Sequence, residues 1–359
     1  MTDAIAVNAE LDFVGTVEPE GADRLDEAKL SAWLEANVAG YRGPMKLTKF
    51  KGGQSNPTYK IEAPSGNYVL RRKPFGPLLP SAHAVDREYK VQAALQKAGW
   101  TVAPQYGLCT DDSVIGSWFY VMGMVDGRTI WDGSMPNDTP EYRHATYNAM
   151  IDTLAGLHAV DVDAAGLSDY GKPGNYFARQ VERWTKQYKL AETETMDSME
   201  RLIAFLPATL PEQTRTSVVH GDYRIDNMIW AKDEPKVLAV LDWELSTLGD
   251  PLADFTYVAM AWVTENGGRS GVLDLDRKAL GIPELEEVVE RYCAATNRTS
   301  VPDMNWYFAY NFFRLAGIMQ GIKKRVIDGT ASSAHAKAMS ERVQPLADKA
   351  WEFAVKAGA

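Results

Sequence analysis

The spacing of apolar positions changes several times along this chain of 359 residues, and each change predicts a new element. Residues 26–38 repeat apolar side chains at helical spacing, which predicts an amphipathic helix. From Met45 the period becomes strand-like over 45–50, 58–62 and 68–72, with glycine-containing turns between the runs. This part of the chain therefore predicts a helix outside three antiparallel strands.

A second helix and a further strand follow. Residues 85–98 carry an apolar stripe that ends at Gly99, and Glu88 lies on the same side as that stripe. Because a carboxylate on a buried face requires a cation, we expect Glu88 to be paired. Residues 118–125 are an almost unbroken apolar run that leads to Gly127, which predicts a buried strand and a link.

Beyond this link the pattern is mainly helical. Helical periodicity covers residues 142–160, 175–190, 252–262, 283–295 and 306–325. Just before the third of these ranges, Asp250 and Pro251 are typical of an N-cap followed by proline at the first helical position. We find no internal repeat and no low-complexity linker, so two lobes that share one cleft are the economical architecture.

Polar side chains concentrate at two strand ends within this helical half. The stretch His220-Gly-Asp-Tyr-Arg-Ile-Asp-Asn227 lies between apolar runs, and Asp242 ends the apolar run 237–241. Asp, Asn and Gly are also common in turns, so a lone His-Gly-Asp would indicate only turn chemistry. The full order, with Asn five residues after the first Asp and a second Asp at a strand end, is the order that a kinase-type phosphoryl-transfer site needs.

Each residue type follows from that chemistry. Asp222 is the predicted catalytic base, which accepts the proton of the attacking hydroxyl. Asn227 and Asp242 offer the hard oxygens that Mg²⁺ prefers, so they are the predicted metal ligands. Arg224 could reach the transferring phosphate and is the second predicted catalytic residue. His220 is expected to brace the loop.

His220–Asn227 and Leu241-Asp-Trp-Glu-Leu-Ser-Thr-Leu-Gly-Asp-Pro-Leu-Ala-Asp-Phe255 resemble the catalytic block of the aminoglycoside/choline phosphotransferase family. More narrowly, they resemble its branch of kinase-like domains that also occur fused to acyl-CoA dehydrogenases. The resemblance extends from about Gly52 to Ser333. It implies an α+β, protein-kinase-like bilobal fold with a small antiparallel-sheet N-lobe and a larger, mainly helical C-lobe.

The resemblance also implies a division of the chain and its cofactors. We expect a loosely ordered arm over 1–24, the N-lobe over 25–124, and the helical C-lobe over 125–359. The expected cofactors are ATP and Mg²⁺. Asp254 matches the family position that hydrogen-bonds back to the catalytic loop.

Three parts of the N-lobe are predicted to hold the nucleotide. The loop with Gly52, Gly53 and Ser55 could lie over the phosphates, since glycine allows close backbone approach. Strand alternation places Arg71 on the same face as Val69, and choline-kinase-like relatives use Arg there to grip the α- and β-phosphates. Arg72 and Lys73 are competing candidates for this role, and Arg71 is the expected partner of Glu88.

The segment from Met122 to Val125 is the predicted hinge, where Met122 and Met124 flank the adenine site. Relatives often carry Glu where this chain has Gly123. Because hinge contacts are mainly made by the backbone, we expect ATP binding to persist, and GTP stays open as an alternative. Arg314, inside the apolar run of 306–325, must be paired if it is buried, and it could also face an anionic substrate.

Composition excludes several classes of protein. The net charge of −10 argues against non-specific nucleic-acid binding. The two cysteines, Cys109 and Cys293, lack metal spacing and are expected to be reduced. No apolar run is long enough to span a bilayer, and the first residues lack the pattern of a signal peptide, so we expect a cytoplasmic protein without a membrane partner. The sequence leaves the oligomeric state open.

The acceptor is the least determined part. The resemblance implies a hydroxyacyl thioester or a related hydroxy acid, and fold similarity does not transfer a substrate. Amino alcohols and aminoglycosides are the alternative, which an acidic pocket would favour. A catalytically silent nucleotide-binding scaffold is a rival of another class, and the intact set Asp222, Asn227 and Asp242 argues against it.

Overall fold

An antiparallel sheet forms the first lobe, as the strand-like periodicity predicts. The structure is a computed structural model that describes residues 15–51, 56–76, 83–331 and 336–359. Within these ranges the sheet has six strands in the order β1-β2-β3-β4-β6-β5. The strands are β1 (Thr16–Val17), β2 (Lys46–Phe50), β3 (Thr58–Ala63), β4 (Gly66–Arg72), β5 (Gln105–Cys109) and β6 (Phe119–Gly123).

The two faces of the sheet are buried against different partners. Three α-helices complete the described part of this lobe, namely α1 (Glu27–Asn37), α2 (Val85–Lys97) and α3 (Asp112–Ile115). Leu70 faces α1 and packs with Leu30 and Leu34. Val69 faces the other way, in a cluster with Met122 and Ala239. The alternation predicted along β4 is therefore confirmed.

The second lobe is mainly helical. Its helices are α4 (Pro140–His158), α5 (Tyr176–Ala191), α6 (Asp197–Ala208), α7 (Leu252–Ala259), α8 (Arg277–Leu280), α9 (Leu285–Thr296), α10 (Asn305–Ile327), α11 (Ala336–Ser340) and α12 (Val343–Lys356). Two short antiparallel pairs join them, β7 (Ser217–Val219) with β10 (Thr247–Gly249) and β8 (Met228–Trp230) with β9 (Val237–Val240). The predicted α+β, kinase-like architecture is confirmed.

Helix ends follow local capping chemistry. The Thr139 hydroxyl accepts a hydrogen bond from the Tyr142 amide at 3.3 Å and Pro140 takes the first turn, so α4 begins two residues before the apolar periodicity does. The Asp250 carboxylate accepts from the Leu252 amide at 2.9 Å and starts α7 as predicted. A 3₁₀ turn, Met260–Val263, extends α7 over the predicted length.

Residues 15–24 contact the sheet, whereas a loosely ordered arm was expected over 1–24. Residues 1–14 lie outside the described ranges. β1 pairs with β2 through Thr16 opposite Phe50. The Asp23 carboxylate accepts from Lys49 Nζ at 2.6 Å and lies 3.3 Å from Arg72 Nη2. These contacts fix the described part of the arm to the sheet edge, which apolar periodicity does not reveal because the contacts are polar.

Two predictions from composition can be compared with the fold. Cys109 and Cys293 are both free and buried, as expected. Among the described residues, no helix combines the length and the apolar character that crossing a bilayer requires.

Candidate active site

The catalytic loop begins where β7 ends and turns sharply at Gly221. Gly221 has φ +85°, in the left-handed region that favours glycine. A Cβ atom at this position would lie 2.9 Å from the Leu245 carbonyl oxygen, so the loop passes too close to its neighbour for any side chain. Glycine at 221 is therefore required by both conformation and space.

The Asp254 carboxylate holds this turn from the first turn of α7. Its two oxygens accept the His220 amide at 2.6 Å and the Gly221 amide at 2.8 Å. This is the back-bonding that the family resemblance implies for Asp254. His158 lies buried behind it, with Nε2 3.5 Å from Asp254 and Nδ1 2.7 Å from the Tyr292 hydroxyl.

His220 braces the loop, as predicted. Its Nε2 lies 2.8 Å from the Leu241 carbonyl oxygen, and its Nδ1 accepts the Asp222 amide at 3.2 Å. An acceptor Nδ1 and a donor Nε2 describe the neutral imidazole. The ring thus ties the catalytic loop to the end of β9 and uses both nitrogens in doing so.

Asp222 lies where amide and cationic groups surround its carboxylate. Asn227 Nδ2 donates to the Asp222 carbonyl at 2.8 Å and to its Oδ2 at 3.0 Å. Although burial would raise it, the guanidinium groups of Arg224 and Arg314 hold the pKa of Asp222 below its ordinary value. The carboxylate is therefore kept ionised, which a base must be before it accepts a proton.

Arg224 pairs with two carboxylates of its own loop. Its Nε lies 3.4 Å from Asp222 Oδ1, and its Nη2 lies 3.1 Å from Asp226 Oδ2. Burial alone would lower the pKa of Arg224, but these two carboxylates raise it. The guanidinium therefore lies beside the predicted base, where it could also contact a phosphate group next to Asp222.

Of the two alternatives for Arg314, the structure shows pairing within the chain. Its Nη2 donates to the Gly221 carbonyl at 2.6 Å, and its guanidinium lies over the Tyr257 ring at 5.1 Å from the centroid. The side chain is buried in α10. Arg314 therefore stabilises the glycine turn from the side opposite to the amide contacts of Asp254.

The N-lobe contributes the predicted ion pair. Arg71 Nε lies 2.8 Å from Glu88 Oε2, and both side chains are largely buried, at 12% and 2% exposure. Asn56 Nδ2 and the Tyr120 hydroxyl donate to the two Glu88 oxygens at 2.8 and 3.1 Å. Arg72 points to the other face, where its Nε donates to the Tyr59 hydroxyl at 3.2 Å. This placement favours Arg71 over Arg72 as the phosphate-binding cation.

Arg71 also reaches the C-lobe side of the cleft. Its Nη2 lies 3.4 Å from Asp242 Oδ1 and 3.6 Å from Glu244 Oε2. Burial, together with the neighbouring Asp242 carboxylate, raises the pKa of Glu244 to about 7. Glu244 is a site residue that the sequence reasoning missed, although the Asp-x-Glu spacing at a strand end was available as a signal.

Asn227 and Asp242 are brought together by the hairpin that separates them in sequence. β8 and β9 pair through Met228 opposite Val240, and the Leu241 amide donates to the Asn227 carbonyl at 2.8 Å. Asp242 has φ +65°, a conformation unusual for a residue with a side chain and common at functional sites. The two predicted metal ligands therefore lie at adjacent strand ends.

This donor set fits a Mg²⁺ ion that arrives with a nucleotide. One amide oxygen and one carboxylate suit Mg²⁺, which takes its remaining ligands from phosphate oxygens and water. Within the described ranges no group of three or more His, Cys, Asp or Glu side chains is arranged to hold a metal.

An apolar cluster lines the cleft between the lobes. Val69 and Met122 from the sheet pack with Ala239, Ile229 and Leu241 from the second lobe. In the predicted hinge, the Gly123 amide donates to the Pro104 carbonyl at 2.7 Å and the Met124 amide to the Asn67 carbonyl at 3.2 Å. The chain therefore already uses the amides of residues 123 and 124 in backbone hydrogen bonds of its own. The predicted contacts of Gly52, Gly53 and Ser55 lie outside the described residues.

A cavity of about 720 Å³ adjoins the catalytic loop in the C-lobe. Arg224 and Tyr257 line it, and both influence the Asp222 carboxylate. Much of the wall is apolar, with Met150, Phe312 and Leu315 among its residues. The volume is within the range of sites for small molecules. This geometry is that of a kinase-like fold, in which Arg71 and Glu88 of the N-lobe meet Asp242 of the C-lobe and a cavity lies beside the predicted base.

Comparison with known proteins places the chain more closely. Residues 46–299 match the model of the family described as "Phosphotransferase enzyme family". This match covers more than half of the chain, which therefore belongs to that family.

Acyl-CoA dehydrogenase family member 10 of Mus musculus is 46% identical over 318 residues, which are 88% of this chain and 30% of that protein. The chain spans less than half the length of the first curated relatives it matches. The match therefore concerns one region of a longer protein.

Solved structures share the fold. A Ralstonia eutropha protein, provisionally described as an aminoglycoside phosphotransferase, has 49% identity and a TM-score of 0.86, over 93% of this chain and 99% of its own. A thermostable aminoglycoside phosphotransferase mutant in ternary complex with ADP and hygromycin B has 13% identity and a TM-score of 0.56, over 91% of this chain and 98% of its own. The second likeness concerns the fold alone.

Proposed function

We propose that this protein transfers the γ-phosphoryl group of ATP to a hydroxyl group of a small molecule, with Mg²⁺. The observation that carries the proposal is the meeting of Asp222, Asn227 and Asp242 with the Arg71–Glu88 pair across one cleft. Phosphoryl transfer needs a base, a metal site and a phosphate clamp in such an arrangement. Membership of the phosphotransferase family supports the same reaction.

In the proposed step, Asp222 acts as the base. As the acceptor oxygen bonds to the γ-phosphorus, its proton moves to the Asp222 carboxylate and the bond from phosphorus to the ADP oxygen breaks. ADP and the phosphorylated acceptor are the products. The pKa of Asp222, lowered by its arginine neighbours against the effect of burial, keeps it in the form that receives the proton.

The remaining side chains orient and neutralise the phosphates. Asn227 and Asp242 would hold Mg²⁺, which when bound neutralises charge on the phosphate oxygens. Arg71, fixed by Glu88, would grip the α- and β-phosphates in a guanidinium fork. The apolar cluster around Val69 and Met122 would accept the adenine ring.

For the acceptor we propose a hydroxyacyl thioester or a related hydroxy acid. Two observations support this choice. The relative named above is an acyl-CoA dehydrogenase family member. The cavity beside Asp222 is lined by apolar side chains and by cations, with Glu265 as its carboxylate. Amino alcohols and aminoglycosides are cationic, and such a lining offers them little charge complementarity.

The test is a screen for acceptor-dependent ADP release. Hydroxyacyl-CoAs, free hydroxy acids, amino alcohols and aminoglycosides are each supplied with Mg·ATP, and Mg·GTP replaces Mg·ATP in a parallel series. We expect release with the hydroxyacyl compounds and ATP. Release with the amines alone would assign the acceptor to the alternative class, and no release with any class would support the silent scaffold.

A further inference from the structure

The cavity beside the catalytic loop carries a local excess of positive charge. Its lining includes four cations and one carboxylate, Arg224, Arg269, Arg342 and Lys349 against Glu265. The whole chain has the opposite balance, with 38 Lys and Arg against 48 Asp and Glu. The net charge of the cavity lining is therefore opposite in sign to the net charge of the chain.

Three of these cations lie away from the catalytic carboxylates. Arg224 is occupied by Asp222 and Asp226. Among the described residues, Arg269 and Arg342 have no carboxylate at ion-pair distance, and Lys349 has a loose contact of 3.6 Å with the exposed Glu352. Arg269 and Arg342 are exposed to solvent. Arg269 lies within electrostatic range of Asp226, whose ionised form it favours, so an incoming anion would meet the least competition from carboxylates at Arg342.

Local structure directs these side chains to one cavity. Arg342 immediately precedes α12 and Lys349 follows seven residues later, a spacing that returns to the same side of a helix. Arg269 comes from a separate loop, which the Asn266 side chain closes by donating to the Arg269 carbonyl at 2.8 Å and to Asp132 Oδ1 at 3.0 Å. The three cations thus reach one cavity from two anchored elements.

We propose that Arg269, Arg342 and Lys349 form an anion subsite that binds the negatively charged group of the acceptor, while the apolar wall of the cavity holds its acyl body. This inference rests on the proposed phosphoryl transfer and adds the residues that select the acceptor. The charged group is a phosphate, as in coenzyme A, or a carboxylate, as in a free hydroxy acid. Guanidinium groups bind both through paired hydrogen bonds.

The first test measures binding without turnover. Coenzyme A and 3-hydroxybutyrate are titrated separately into the protein with Mg·ADP present, and the heat of binding gives each dissociation constant. We expect Arg342→Gln and Lys349→Gln each to weaken binding of one of these anions by about tenfold, since each removes a charge-assisted hydrogen bond. The anion that responds identifies the source of the charge.

Lys356→Gln is the matched control, because Lys356 also lies on α12 but outside the cavity lining. It should change the dissociation constants less than twofold. Equal weakening by the control and the cavity variants would overturn the subsite, as would wild-type protein that binds neither anion.

The second test separates the subsite from the reaction. The rate of ADP release is compared for a hydroxyacyl-CoA and for the matching uncharged N-acetylcysteamine thioester. If the variants weaken binding of coenzyme A, Arg342→Gln should lower kcat/KM for the charged thioester and leave the uncharged one unchanged. If they weaken binding of 3-hydroxybutyrate instead, Arg342→Gln should lower kcat/KM for the free hydroxy acid. If anion binding depends on Arg342 and Lys349 but no acceptor releases ADP, the subsite stands and the proposed transfer falls. If transfer occurs and the variants do not affect it, the proposed transfer stands and the subsite falls.

Discussion

At the level of single residues, the site depends on carboxylates whose neighbours decide what each one does. Asp222 is held ionised beside two guanidinium groups, whereas Glu244 has a pKa raised to about 7 by burial and by Asp242. Asp254 is buried and accepts two backbone amides. All three residues carry a carboxylate, and their different partners distinguish the proposed base, a cleft residue and a structural support.

Replacing Asp222 by Asn tests its role as the base. Asn keeps the shape and one oxygen for Asn227, but it cannot accept the hydroxyl proton, so we expect kcat to fall by about 10³-fold. The dissociation constant for Mg·ATP should change less than threefold, as measured by calorimetry. Asp233→Asn, at the exposed tip of the β8–β9 hairpin, is the control and should keep full activity. Undiminished turnover in Asp222→Asn would exclude it as base.

Replacing Glu88 by Gln tests the phosphate clamp. Arg71 would lose its 2.8 Å partner while the Asn56 contact could persist, so the guanidinium would be free to turn away from the phosphates. We expect KM for ATP to rise about tenfold and the free energy of unfolding to fall by about 2–3 kcal/mol. Steady-state kinetics and urea unfolding measure the two effects. Glu62→Gln is the control, because Glu62 lies at a more exposed position on β3. KM for ATP and the free energy of unfolding should both stay close to the wild-type values.

At the level of elements, α7, α10 and the catalytic loop form one support. Asp254 from α7 binds the amide side of the turn, and Arg314 from α10 binds the Gly221 carbonyl. Gly221 itself cannot carry a side chain, because its Cβ would meet the Leu245 carbonyl. The position of Asp222 is therefore fixed by contacts from two helices and a strand end.

Gly221→Ala tests this close packing. Both the positive φ and the contact at 2.9 Å oppose a Cβ, so we expect a loss of stability of about 2–4 kcal/mol and loss of activity. Gly166→Ala is the matched control, with φ +70° and no atom within 4 Å of the added Cβ. It should cost only about 1 kcal/mol in thermal or urea unfolding, from conformation alone. Equal losses in the two variants would show that packing against Leu245 contributes nothing.

Many elements with regular periodicity were predicted, although the amphipathic helices α6 and α12 were missed, and those set by single polar contacts were not predicted. The alternation of Val69, Leu70 and Arg71 placed Arg71 on the face where it pairs with Glu88, because strand geometry alone determines that face. β5 (Gln105–Cys109) was missed, since its pairing with β6 contains a register shift between Gln105 and Gly107, which interrupts the alternation. The attachment of residues 15–24 and the bond from Arg314 to Gly221 depend on partners far away in sequence, which spacing does not contain.

At the level of the whole molecule, both lobes contribute side chains to the proposed nucleotide site. The predicted phosphate clamp is on the sheet, the predicted metal ligands are on the β8–β9 hairpin, and the apolar cluster draws side chains from both. A nucleotide bound in this cleft would contact both lobes at once. Its binding energy would therefore stabilise the arrangement of the lobes as well as each lobe.

Binding of Mg·AMP-PNP tests this coupling. At a free concentration of about 100 times Kd, we expect the free energy of unfolding to rise by about 2.7 kcal/mol. Hydrogen exchange should slow in β4 and in residues 241–244 together. EDTA or Asp242→Asn should remove most of the effect, while Asp233→Asn should keep it. Protection confined to one lobe would contradict a shared site.

The hairpin between Asn227 and Asp242 fixes the distance between these two residues, while the length of its tip can vary. Its strands pair from Met228 to Val240, and Trp230 exchanges two 2.8 Å backbone hydrogen bonds with Arg128. The tip, residues 231–236, lies beyond both anchors. Homologous chains can therefore lengthen or shorten this tip without disturbing the spacing of the two oxygens, whereas one residue inserted between 237 and 241 would turn the Asp242 carboxylate away from the Asn227 amide oxygen.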